Sequence, residues 1–153
     1  MNPDFRDLLA AFNACAVEYI VVGAHALAAH GFVRATKDLD LWVKPTRENA
    51  ARTLRALAEF GAPLHDLSVE DLSSPGLIFQ IGVPPVRIDI VTAIDGVEFD
   101  PAWRGRIEAN LGNLAVPVLS RRDLILNKRT VGRLQDLADV QRLEEIERGR
   151  GKA

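Results

Sequence analysis

Apolar and polar positions along this chain change period several times, and each change marks an element. Phe5, Leu8, Leu9 and Phe12 recur at helical spacing, and Asn2 followed by Pro3 supplies an N-cap with proline in the first turn. Residues 19–22 form an apolar run that meets Gly23 and Ala24, which predicts a strand, a turn and a short Ala-rich helix over 24–30, stopped by Gly31. D-L-D-L-W-V, from Asp38 to Val43, predicts the next strand and ends at Lys44-Pro45. Thr46 caps a helix with Ala50, Leu54, Leu57 and Ala58 on its apolar side, and Gly61 and Pro63 end it.

Residues 63–76 are mixed and polar, and predict a loop with a turn at S-S-P-G. Residues 77–81 and 86–92 predict two strands separated by G-V-P-P, 99–104 a short helical piece, and 114–119 a last strand. Ser120 with Asp123 opens a further helix, which Gly132 interrupts. Leu134, Leu137, Val140, Leu143 and Ile146 mark a final amphipathic helix. Helices alternating with strands, with neighbouring strands late in the chain, predict an α/β fold: a mixed β-sheet flanked by helices. The expected organisation is one domain over residues 1–148 and a flexible C-terminal tail over 149–153.

Composition narrows the setting. A net charge of −2 gives no general affinity for nucleic acid, so any such binding needs a local basic patch. Cys15 is the only cysteine, which excludes an intrachain disulfide and points to a reducing cytoplasm. No apolar run approaches the roughly 20 residues of a membrane span. The opening M-N-P-D-F-R-D resembles no signal peptide. The expected location is therefore cytoplasmic, with no membrane partner.

The candidate chemistry lies between Tyr19 and Val43. Asp38 and Asp40 are two apart on a strand, so both carboxylates share one face while Leu39 and Leu41 take the other. Two such charges side by side call for a cation, and hard oxygen donors suit Mg²⁺, or Mn²⁺ in its place. The turn at Gly23 and Ala24 leaves backbone amides at a helix start, where phosphate oxygens are attracted. Asp89 lies among apolar neighbours in V-R-I-D-I-V, where its charge needs a metal or Arg87 beside it; Asp95 is the nearby alternative as a third acid. Arg34 is a candidate for reaching a phosphate, and Thr36 for fixing the approach loop. His25, His30 and His65 form no zinc pattern, and there is no serine nucleophile elbow or Walker-type loop.

G-A, thirteen residues and then D-L-D-L resembles the signature of the DNA polymerase beta-like nucleotidyltransferase superfamily. The intervening G-F-V-R-A-T-K is similar to the small bacterial branch, which includes minimal nucleotidyltransferases and abortive-infection or toxin-type proteins. The resemblance implies a polymerase beta-like fold and Asp38 and Asp40 as metal ligands. It makes Asp89 the third catalytic carboxylate and metal ligand. N-K-R-T-V-G-R-L-Q-D-L-A-D resembles that branch's C-terminal segment, which makes Lys128 a candidate triphosphate contact and leaves Asp136 and Asp139 as local partners of the bases. The implied reaction moves a nucleoside monophosphate from a nucleoside triphosphate, ATP among them, to a hydroxyl acceptor. RNA, protein and small molecules are all open as acceptors, and a toxin–antitoxin or defence setting implies a cognate antitoxin. Ala24 stands where the family often has Ser or Gly, which favours the alternative of a nucleotide-binding or protein-interaction module without catalysis.

Overall fold

The computed structural model describes residues 1–34, 38–83 and 86–151. Helix α1 (Pro3–Ala14) starts where Asn2 accepts the Asp4 backbone N–H at 2.8 Å, and it buries Phe5, Leu8, Leu9 and Phe12. Strand β1 (Tyr19–Val22) is buried along its whole length and turns at Gly23 into α2 (Gly23–Ala29). Strand β2 (Asp38–Val43) buries Leu39 and Leu41 and leaves Asp38 and Asp40 half-buried on the opposite face. Helix α3 (Arg47–Phe60) is capped by the Thr46 side chain and ends at Gly61, whose φ of 90° is the left-handed value that glycine adopts freely.

A short helix α4 (Val69–Leu72) lies inside the stretch expected to be a loop. Ser68 Oγ accepts the Asp71 N–H at 3.1 Å and Asp71 Oδ2 accepts the Ser68 N–H at 3.0 Å, and Leu72 is fully buried beneath this capping box. Strands β3 (Ile78–Val83) and β4 (Val86–Val91) pair antiparallel, and α5 (Phe99–Gly105) follows. Strand β5 (Ile107–Leu111) was not expected. It pairs antiparallel with β6 (Leu114–Val118) through a two-residue turn at Gly112 and Asn113, with φ of 56° and 65°, a geometry that matches hairpin twist. Helix α6 (Arg121–Val131) is capped by Ser120 and ends at Gly132. Helix α7 (Leu134–Gly151) continues past residue 149, into the stretch expected to be a tail. Its apolar face works only in its later part: Val140 and Leu143 are buried, whereas Leu134 is 88% exposed and Leu137 47%.

The six strands form one mixed sheet in the order β3-β4-β2-β1-β6-β5. The central β1 runs antiparallel to β2 and parallel to β6, and β2 runs parallel to β4. Buried Asn49 on α3 ties β1 to β2 from below: its Oδ1 accepts the Glu18 N–H at 2.7 Å, and its Nδ2 donates to Glu18 O at 2.9 Å and Lys44 O at 3.0 Å. No described helix is long and apolar enough to cross a membrane.

Candidate active site

Parallel pairing of β2 with β4 sets Asp40 directly opposite Asp89 and Asp38 directly opposite Arg87. In-register neighbours share a face, so three carboxylates and one guanidinium crowd the same side of the sheet. Gln80 of β3 is opposite Asp89 and continues that face outward. Arg87 Nη2 donates to Asp38 Oδ2 at 3.2 Å, and its Nε lies 3.2 Å from Asp89 Oδ1. The second contact is an ion pair without hydrogen-bond alignment. Among the described residues, neither the buried Arg87 Nε nor the buried Asp89 Oδ1 has a hydrogen-bond partner.

Crowding changes the acidity of the group. Burial, then the negative charges of Asp89 and Asp38, push the Asp40 carboxyl up to about 6. Burial also raises Asp89, with Arg87 opposing the rise and Asp38 adding to it. Gly23 sits against this cluster with φ of 70°, and a Cβ added there would lie 2.2 Å from Asp40 Oδ2. The turn therefore needs glycine twice over, for its left-handed backbone and for the space taken by the Asp40 carboxylate. No local pattern signals that contact, because the sequence shows the glycine but not its neighbour. Ala24 follows, half-buried, in the first turn of α2.

The other expected site residues form a second group around Asp139. Arg34 from the segment after α2 and Lys128 from α6 both bond to this carboxylate, Lys128 at 2.9 Å, and Gln135 adds a third bond at 2.9 Å. Asp136 stands 3.6 Å from Lys128 Nζ and accepts from Arg133 Nε at 2.7 Å. Asp136 and Asp139 are thus partners of the bases, as the resemblance implied. Lys128, the candidate triphosphate contact, is buried between two carboxylates. Arg34 also lies over the Phe32 ring, 5.0 Å from its centroid. Thr36 lies outside the described residues. His25 packs edge-on against Phe5, and burial lowers its pKa; His30 is buried with Nε2 2.8 Å from Leu119 O. Asp95 is exposed, in the turn after β4.

Among the described residues, no group of three or more acidic, histidine or cysteine side chains is arranged to hold a metal ion. The donor chemistry nevertheless fits a hard divalent cation: three carboxylates on one face, one buried oxygen without a hydrogen-bond partner among the described residues, and one carboxyl pushed up by burial and by the two charges beside it. Arg87 is in contact with two of those donors, Asp38 and Asp89.

The sequence matches no protein-family profile and no curated protein. The structure is similar to the lincosamide antibiotic adenylyltransferase LnuA, solved with lincomycin bound, at a TM-score of 0.61 and 15% identity, covering 95% of this chain and 98% of that one. It is also similar to the antibiotic-resistance factor ANT(2'')-Ia, at a TM-score of 0.58 and 16% identity over 97% of this chain and 91% of that one. A crystal structure of ANT(2'')-Ia in complex with adenylyl-2''-tobramycin gives a TM-score of 0.56, also at 16% identity. At such identities the likeness speaks to fold. The chain has the mixed α/β fold of these nucleotidyltransferases.

Proposed function

We propose that this chain is a metal-dependent nucleotidyltransferase that moves a nucleoside monophosphate from a nucleoside triphosphate to a hydroxyl acceptor. The observation that carries the reading is the register of β2 against β4, which sets Asp40 opposite Asp89 with Asp38 on the same face, beside the Gly23 turn. Asp38, Asp40 and Asp89 would hold Mg²⁺, or Mn²⁺ in its place. A divalent ion bound there supplies charge neutralisation for the triphosphate and lowers the pKa of the attacking hydroxyl.

The chain's own groups do the rest. The backbone at Gly23 and Ala24, held against Asp40, would run along the phosphate oxygens. Arg34, 29% exposed, would meet the triphosphate from the side of the segment after α2. Lys128 would follow only by exchanging Asp139 for phosphate, because its ammonium is buried in that pair. Asp89 would orient the acceptor hydroxyl and take its proton at Oδ1, the oxygen without a hydrogen-bond partner among the described residues.

LnuA was solved with lincomycin and ANT(2'')-Ia with adenylyl-2''-tobramycin, so a small hydroxylated compound is the first acceptor class to test, ahead of RNA or protein. A cognate antitoxin remains part of the proposal only through the resemblance to the small bacterial branch. A cytoplasmic location is part of the proposal, and the single cysteine supports it. The test is incubation with Mg²⁺ or Mn²⁺, each labelled triphosphate and a panel of small-molecule, RNA and protein acceptors. Pyrophosphate release with label transfer is expected, and the Asp38→Asn, Asp40→Asn double variant should lose both. Transfer by that variant at the wild-type rate would overturn the mechanism. Nucleotide binding without transfer by the wild type would favour a binding module, the reading that Ala24 supports.

A further inference from the structure

We propose that Arg87 is the resident counter-cation of the carboxylate cluster, and that a divalent ion enters by displacing its guanidinium from Asp38 and Asp89. The inference rests on reading the cluster as a metal site. Arg87 precedes Asp89 by two residues on β4, so it projects to the same face, and the strand register sets it opposite Asp38. It touches one oxygen of each: Asp38 Oδ2 and Asp89 Oδ1, both at 3.2 Å. Those contacts engage the two carboxylates that a hard cation would also need. A guanidinium and a divalent ion carry like charge and compete for the same oxygens, so both cannot be held at full contact.

The character of the contact favours exchange. Lys128, in its buried pair, is 2.9 Å from a carboxylate that is itself 1% exposed. Arg87 is 30% exposed, sits farther from its partners, and has its buried Nε off any hydrogen-bond axis among the described residues. It offsets part of the cluster's negative charge without completing it. A cation held in this way lets three carboxylates fold next to one another before any ion arrives, and it can leave without opening the core, since its neighbours Ile88 and Ile90 face the other way and stay buried. Arg87 is then a positioning residue that sets the affinity of the site for the ion.

The test is titration of nucleotide-free protein with Mn²⁺, followed by electron paramagnetic resonance of the free ion, for wild type, Arg87→Met and Arg87→Lys. Removing the competing charge should tighten Mn²⁺ binding by roughly tenfold or more. Arg87→Lys, with one ammonium unable to span both carboxylates, should fall between the two. Metal-free Arg87→Met should melt below wild type, and saturating Mn²⁺ should raise its melting temperature by more. Equal or weaker Mn²⁺ binding by Arg87→Met, with clear binding by wild type, overturns the role of Arg87 and leaves the metal site standing. No Mn²⁺ bound by any of the three overturns both. If Arg87→Met does not fold, Arg87→Lys decides: tighter binding than wild type supports the exchange, and equal or weaker binding overturns it.

Discussion

Replacing Lys128 with methionine isolates the energetics of the pair that joins α6 to α7. Methionine keeps the length of the stem and removes the ammonium, so packing changes little and charge changes fully. The lysine is buried, with Nζ 2.9 Å from Asp139 Oδ2 and 3.6 Å from Asp136 Oδ1. Asp139 is 1% exposed and cannot turn to water for a replacement bond. Breaking a buried pair from one side costs about 3–5 kcal/mol, against at most about 1 kcal/mol for a solvated one. At about 2–4 °C per kcal/mol for a chain of this size, the melting temperature should fall by roughly 6–20 °C. Acid sensitivity gives a second reading. A hydrogen bond from Arg133 holds Asp136 below the usual carboxylate range, with burial opposing and the charges of Arg133 and Lys128 helping. For Asp139, burial pushes upward, but bonds from Lys128, Gln135 and Arg34 more than offset it. A folded pKa below the unfolded one contributes stability that is present above the unfolded value and lost as pH falls through the folded value. Without Lys128 that loss should begin at higher pH. Urea denaturation of nucleotide-free protein at neutral pH, repeated toward pH 4, measures both effects. A loss under about 1 kcal/mol with an unchanged acid limb would refute the buried pair and return Lys128 to the solvent.

Gly23→Ala should cost at least about 1 kcal/mol from the left-handed backbone alone and weaken Mn²⁺ binding, because the new Cβ must push the Asp40 carboxylate aside; wild-type melting and metal affinity would contradict the contact. In metal-free wild type, Asp40 has a folded pKa of about 6 against an ordinary 3.8, so the folded state holds the proton more tightly and stability should fall as pH rises through that interval. Asp40→Asn, in a chelator, should reduce this slope and be more stable at pH 7.5 by on the order of 3 kcal/mol; a flat wild-type profile across the interval would be the contrary result. Asn49→Ala strips three bonds from the Glu18 and Lys44 backbone and should lower stability by about 3 kcal/mol in chemical denaturation, with a change below 1 kcal/mol showing that the clamp is unimportant.

Features written in a few adjacent residues were legible before the structure. The caps at Asn2, Thr46 and Ser120 and the stops at Gly61 and Gly132 lie where the sequence places them, since each depends on the residue's own side chain or backbone freedom. Asp38 and Asp40 share a face because a strand alternates. Helix α4 was missed because one turn of helix is too short to establish a period. Strand β5 was missed although Ile107, Ala109 and Leu111 alternate with Glu108 and Asn110, because five residues with a half-buried face are a short run on which to establish a strand. Asp89 facing Asp40 depends on β4 lying beside β2, a matter of strand order that no local pattern carries. The burial of Lys128 is decided by two carboxylates on the next helix, which the residues around it do not signal.

The strand order also has a kinetic meaning. Asp40 and Asp89 meet across a loop of about fifty residues, and β1 reaches β2 across a shorter one, whereas Val21 pairs with Val118 roughly a hundred positions away. Strands β3, β4, β2 and β1, with all three carboxylates, therefore have the shorter loops to close, and docking of the β5–β6 hairpin onto β1 closes the longest. Loop-closure entropy grows only with the logarithm of length, about 0.6 kcal/mol for each doubling. Relatives of this chain can thus lengthen the connection between β4 and β5 at small thermodynamic cost, folding more slowly while the carboxylate strands keep their register.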